Sequence, residues 1–99
     1  MRKAEATLTQ TLAALADPMR QRILKVLKQK GCCSLGKPEG MCACDIEARV
    51  GLSQPTVSHH MAVLTKAGLV EAEKLGQWMW YRRNEKGLAA FREALAKEL

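Results

Sequence analysis

The chain has 99 residues, 47% hydrophobic but only 4% aromatic, and its 16 Lys and Arg against 10 Asp and Glu give a formal net charge of +6. That length fits one domain, that apolar fraction argues against disorder, and no apolar run approaches the roughly 20 residues of a membrane span. The basic balance points to a polyanionic partner; a soluble protein that happens to be basic is the plainer alternative, which the motifs have to decide.

The start, Met1-Arg2-Lys3-Ala4-Glu5, runs into an amphipathic stretch and not into a signal-peptide core. The expectation is a cytoplasmic protein whose four cysteines are reduced thiols. Leu8, Leu12 and Leu15 recur at helical spacing and predict a first helix over 4–15. Asp17-Pro18 opens a second helix: Asp is a good N-cap, and Pro is preorganised for the first helical position. Met19, Ile23, Leu24 and Leu27 form its buried stripe, and Gly31 is expected to end it in a left-handed conformation. Residues 31–41 hold three Gly, one Pro and two Cys, so they read as a loop long enough to suggest function.

A short helix over about 44–50 follows, with Ile46 and Val50 facing inward. Gly51-Leu52-Ser53 makes a tight turn, Ser53 caps the next helix, Pro55 sits in its first turn, and the helix runs to Ala67 and stops at Gly68. Two helices joined by a Gly-containing turn, over about 44–67, make a helix-turn-helix. Over 69–83 the period changes to that of strands: Trp78 and Trp80 share one face, Met79 and Tyr81 the other, and Leu75-Gly76-Gln77 is a hairpin turn. Asn84 caps a last helix in which Leu88, Phe91 and Leu95 repeat along one side. The terminal helices, 4–15 and 84–99, carry apolar stripes that so small a monomer cannot fully cover, and a homodimer is expected to bury them.

In the second motif helix, steps of ~100° per residue put Val57, Met61 and Leu64 on one face and Pro55, His59, Ala62 and Lys66 opposite. Gln54 and Ser58 lie on one flank, Thr56 on the other, and His60 borders the packed face. The outer surface is small and polar near its start. Gln can pair with adenine, Ser and Thr read donors or acceptors, and His reaches bases or phosphate. A solvated helix face is the bland alternative, and the preceding helix, the hairpin and the basic charge weigh against it. Adjacent His59 and His60 point about 100° apart and do not chelate one ion readily.

Ala14-Leu15-Ala16-Asp17-Pro18-Met19-Arg20, Leu52-Ser53-Gln54-Pro55-Thr56-Val57-Ser58-His59-His60-Met61 and Ala67-Gly68-Leu69-Val70 closely resemble the ArsR/SmtB family of metal-sensing repressors, over nearly the whole chain. The resemblance implies a winged helix-turn-helix homodimer held by its first and last helices. It implies a recognition helix at 54–66, a β-wing at 69–83, and an apo dimer that releases operator DNA when loaded with metal. Cys42-Ala43-Cys44-Asp45 is similar to the family's arsenic-type site. The position where arsenic-sensing relatives often place a third cysteine is Glu47, and residues 84–99 lack the His and Asp of a second family site.

Cys32, Cys33, Cys42 and Cys44 are the only cysteines. Thiolates select soft ions. Structural zinc, a thiol redox switch, inert buried cysteines and effector sensing all compete as readings. Arsenite or antimonite takes three thiolates, Cys42, Cys44 and one of the loop pair; cadmium, lead or zinc takes all four. Neither the Cys-x-x-Cys of an oxidoreductase nor an acid–base constellation is present, so an enzyme is not expected; a zinc-stabilised protein-interaction module is the other alternative.

The expectation is therefore a single mainly α domain over 1–99 with a β-hairpin wing, a thiol loop at 31–44, and a dimer on double-stranded operator DNA. Its effector is As(III) or Sb(III), or alternatively Cd, Pb or Zn, held by Cys32, Cys33, Cys42 and Cys44. Its DNA contacts are Gln54, Thr56, Ser58, His59, Lys66, Lys74 and Gln77.

Overall fold

The computed structural model describes residues 7–99. Helix α1 is Leu8–Leu15. Thr7 fixes its start through a capping box: Thr7 Oγ1 accepts from the Gln10 amide at 3.1 Å, and Gln10 Oε1 accepts from the Thr7 amide at 2.9 Å. The helix thus begins later than the expected residue 4; residues 4–6 of that expectation lie outside the described residues.

Helix α2 is Pro18–Val26, with Asp17 Oδ1 accepting from the amides of Met19 (2.8 Å) and Arg20 (3.3 Å). It ends before the expected Gly31. The amides of Lys28 and Gln29 fold back onto the carbonyls of Lys25 and Val26, three residues earlier, and this tighter turn closes the helix. Gly31 does take a left-handed φ of +72°, but inside the loop, where its amide donates to Pro38 O.

A short strand β1, Met41–Cys42, follows the loop; the sequence reading had placed no strand there. Helix α3 is Ala43–Val50, closed by Gly51 at φ +71°. Helix α4 is Gln54–Lys66, β2 is Val70–Leu75, β3 is Trp78–Arg83, and α5 is Glu85–Glu98. The strands form one antiparallel sheet in the order β1-β3-β2. Gly76, at φ +64°, supplies the first position of the two-residue turn that sets Leu75 opposite Trp78. The architecture is a winged helix-turn-helix, mainly helical, with β2 and β3 as the wing.

The core lies between α2, α3, α4 and one face of the sheet. Ile23, Met41, Ile46, Val57, Met61, Leu64 and Leu69 are fully buried there, with Tyr81 beside them. Helix α1 packs on α2 and α5. Asn84 joins the end of α4 to the start of α5: its Nδ2 donates to Gly68 O at 3.0 Å, and its Oδ1 accepts from the Gly87 amide at 3.1 Å. A side chain at Gly87 would run into Gly68 O. No helix among the described residues is long and apolar enough to cross a membrane.

Candidate DNA-reading helix and thiol site

Helix α4 is held from below and free above. Val57, Met61 and Leu64 are each 0% exposed, while Gln54, Thr56, Ser58, His59 and Lys66 face solvent. Ser53 occupies the N-cap position without bonding the helix backbone; its hydroxyl lies 3.1 Å from that of Thr56. The first turn therefore keeps amides free of side-chain caps, an arrangement that favours an anionic neighbour. On the wing, Lys74 and Gln77 are exposed, as is Trp78 next to them.

His60 is buried, and its Nδ1 accepts from Arg20 Nη1 at 3.2 Å. A guanidinium only donates, so the ring proton sits on Nε2. Arg20 Nε also donates to Ala14 O at 2.6 Å, and its Nη1 faces Asp17 at 3.6 Å. One side chain thus ties the end of α1 and the start of α2 to the reading helix. Nothing in the sequence pointed to this partner of Arg20, 40 residues away.

The four cysteines have different environments. Cys42 is 2% exposed and forms the N-cap position of α3. Its Sγ donates to Asp45 Oδ2 at 3.1 Å. Ser34 donates to the same oxygen through both its amide (2.9 Å) and its hydroxyl (3.1 Å), and its hydroxyl lies 3.4 Å from Cys42 Sγ. Burial pushes the Cys42 thiol up, and the adjacent Asp45 carboxylate adds to this against the Ser34 contact. Burial works upward on Asp45 too, but the Ser34 and Cys42 donors outweigh it and hold its carboxyl below the usual carboxylate range.

Cys44, two residues on, is exposed; Cys33 is buried, and Cys32 is half-buried with its Sγ 3.6 Å from Lys30 O. Among the described residues, no group of three or more His, Cys, Asp or Glu side chains is gathered to hold an ion. The donor chemistry suits a soft ion, but no three of the sulfurs are gathered, so a three-thiolate site has to move the loop or the start of α3. Two of the four cysteines, Cys33 and Cys42, are buried. They are not in the main core.

Cys42 lies elsewhere because the sheet has a second covered face. Cys42 pairs with Trp80, and Met41 with Tyr81. Directly opposed residues project to the same side, so Met41 and Tyr81 face the core while Cys42 and Trp80 face away from it. The loop over 31–40 covers that outer face. Its ends meet through Gly31 N and Pro38 O at 3.0 Å. Trp80 Nε1 donates to Glu39 O at 3.0 Å, Lys37 Nζ sits 4.6 Å from the Trp80 ring, and Arg82 Nη1 meets Glu39 Oε2 at 3.2 Å. Ser34, Lys37, Glu39 and Arg82 escaped the sequence reading. Asp45 stood in the quoted Cys-x-Cys-Asp run, the one signal that pointed toward it.

The family profile described as "Bacterial regulatory protein, arsR family" matches residues 17–72. An uncharacterized HTH-type transcriptional regulator of Methanocaldococcus jannaschii is 43% identical over 69% of this chain and 67% of its own length. A putative arsenical resistance operon repressor of Halobacterium salinarum is 37% identical over 83% of this chain and 63% of its own. The chain thus spans about two thirds of the length of these curated relatives. Among solved structures, the homodimeric winged helix-turn-helix DNA-binding domain of a possible ArsR-family regulator from Mycobacterium bovis superposes with a TM-score of 0.69 at 26% identity, covering 92% of this chain and 79% of that one.

Proposed function

Because the chain belongs to the arsR family of bacterial regulatory proteins, a family of DNA-binding transcriptional regulators, we propose that it is a homodimeric repressor whose cysteine thiols capture arsenite or antimonite and thereby release operator DNA. The observation that carries the effector reading is the concentration of all four cysteines in one loop and one helix start, immediately before the reading helix. The kinship with an arsenical resistance repressor favours a trivalent metalloid. Each arsenic–sulfur bond forms as a thiol gives up its proton and a hydroxide on arsenic leaves as water, so no oxidant is required. Cadmium, lead or zinc on four thiolates is the second reading, favoured by the presence of the complete Cys32/Cys33 pair.

In this reading Gln54, Thr56, Ser58 and His59 meet base edges or adjacent phosphates, Lys66 meets the backbone, and Lys74 and Gln77 reach it from the wing. The dimer forms through α1 and α5, whose Leu8, Leu15, Phe91 and Leu95 remain only partly buried and whose Leu12 is 40% exposed. Capture draws a loop cysteine toward Cys42 and Cys44, disturbs the start of α3, and upsets the spacing of the two reading helices, which consecutive major grooves set at ~34–36 Å.

The test is a titration of apo protein on DNA selected from a random-sequence pool, with arsenite, antimonite, cadmium, lead and zinc in parallel. Cys42→Ser and Cys44→Ser are each expected to abolish effector-driven release while leaving apo binding intact. For a three-thiolate ion, single changes at Cys32 or Cys33 weaken release partly and the double change removes it. For a four-thiolate ion each single change is costly. Full release from the Cys42→Ser protein refutes the site.

A further inference from the structure

The loop over 31–40 is fastened at two places that belong to different functions. At one, Ser34 is bonded to Asp45 and touches Cys42, inside the thiol region. At the other, Glu39 and Lys37 hold Trp80, and Glu39 pairs with Arg82, on the central strand of the sheet. Trp80 stands opposite Glu73 in the wing hairpin, and Arg82 is bridged to Glu71 across the same hairpin at 2.8 Å. The Glu71 and Glu39 carboxylates, which both accept from it, hold the Arg82 guanidinium protonated. The wing is therefore propped against the thiol loop and does not project freely.

We propose that the loop over 31–40 is a strut that sets the wing for DNA, with Trp80 as the positioning residue, and that thiol chemistry at Cys42 reaches DNA through this strut as well as through α3. The effector half of this statement rests on the function proposed above; the positioning half does not. Drawing a loop cysteine toward an ion shared with Cys42 pulls on the ties of Ser34 to Asp45 and of Glu39 to Trp80. With the ends of the loop joined at Gly31 and Pro38, displacement at Ser34 passes to Lys37 and Glu39, and so to the strand that carries half of the wing.

Gly40 allows the two halves to be separated. Its φ is +76°, and an added Cβ would strike Tyr81 O and come within 2.8 Å of the Trp80 ring nitrogen. Gly40→Ala thus pushes the loop off the wing without changing any cysteine or any proposed DNA contact to another residue. The experiment uses the full chain carrying Trp78→Phe throughout, so that emission reports Trp80 alone. Gly40→Ala is expected to shift that emission to the red, to raise its quenching by acrylamide, and to weaken DNA binding about fivefold with no effector present. Saturating arsenite is expected to produce the same optical change in the parent, and none in its Cys42→Ser derivative.

A folded Gly40→Ala protein with exposed Trp80 and parental DNA affinity overturns the strut. So does arsenite that binds, by thiolate-to-arsenic absorption, and releases DNA while Trp80 emission stays unchanged. If neither arsenite nor cadmium binds the thiols, the proposed effector fails, and the Gly40→Ala comparison still decides the positioning role. Should Gly40→Ala not fold, Trp80→Phe removes the bond to Glu39 O and trims the ring beneath Lys37. Faster amide exchange across the loop with weaker DNA binding then supports the strut, and faster exchange with undiminished binding overturns it.

Discussion

The reading helix and the thiol loop are neighbours in the chain and are built on opposite logics. Helix α4 packs three consecutive turns of apolar side chains into the core and leaves its polar side bare, so its position is fixed by burial of large area. The loop buries little of the main core and is held by individual polar bonds to Asp45 and Trp80. Burial of that kind resists displacement, whereas a few partly exposed bonds yield to a ligand that competes for them. The sensing function proposed above requires this division: the part proposed to read DNA stays rigid, and the part proposed to capture an effector can be moved.

The comparison breaks most decisively if the helix proves as tolerant as the loop. Leu64→Ala, at a site 0% exposed, is expected to cost about 2–5 kcal/mol in a urea melt. A loss under 1 kcal/mol would mean α4 is not held by its core face. Next in size, Gln54→Ala and Ser58→Ala each remove a solvent-facing group. They are expected to weaken DNA binding by about 1–3 kcal/mol with unchanged melts, read by fluorescence anisotropy. If both bind as tightly as the parent, the reading face lies elsewhere.

On the loop side, Asp45→Asn is expected to cost about 1 kcal/mol at neutral pH, because a charged acceptor of two residues' donors becomes a neutral amide. The sign of the pH dependence follows from the direction of its shift. The folded carboxyl is held below its ordinary range, so its contribution is whole above that range and is lost as the pH falls through it toward the lowered folded value. The gap between parent and variant should therefore close in acid; a gap that widens contradicts the assignment. A similarly small effect on stability is expected for Trp80→Phe, about 1 kcal/mol for one hydrogen bond and the trimmed part of a buried ring. A loss several times larger would show that the outer face is a second core and not a set of separable bonds.

The same division governs what could be read from the sequence. The alternation that buries Val57, Met61 and Leu64 is a local pattern, and it placed α4, its exposed residues and the turn before it. Asp17 and Asn84 announced their helices because a capping side chain bonds backbone only two or three residues away. The capping box of Thr7 and Gln10 that opens the first helix at Leu8 was hidden by the apolar stripe. The second ended early because the chain tightened at Lys28, and no residue type there signals that. The strand at Met41–Cys42 was invisible: two residues carry no period, and their partners are Trp80 and Tyr81, about 40 positions on. Cysteine spacing conveyed the chemistry of the thiol region, but nothing about which face of a sheet Cys42 would occupy or what would lie over it.

The joint at Asn84 bears on how this chain can recombine with its kin. Asn84, Gly87 and the carbonyl of Gly68 form one interlocked contact, in which Gly87 has no room for a side chain. A hybrid that takes its last helix from a relative keeps this joint only where that segment brings an Asn and a Gly at positions 84 and 87 and Gly68 is retained. A crossover between Asn84 and Gly87 joins halves that were never fitted to each other, and any residue larger than glycine arriving at 87 forces the last helix away from the reading helix. Gly87 is therefore the position at which a transplanted last helix is expected to fit or fail.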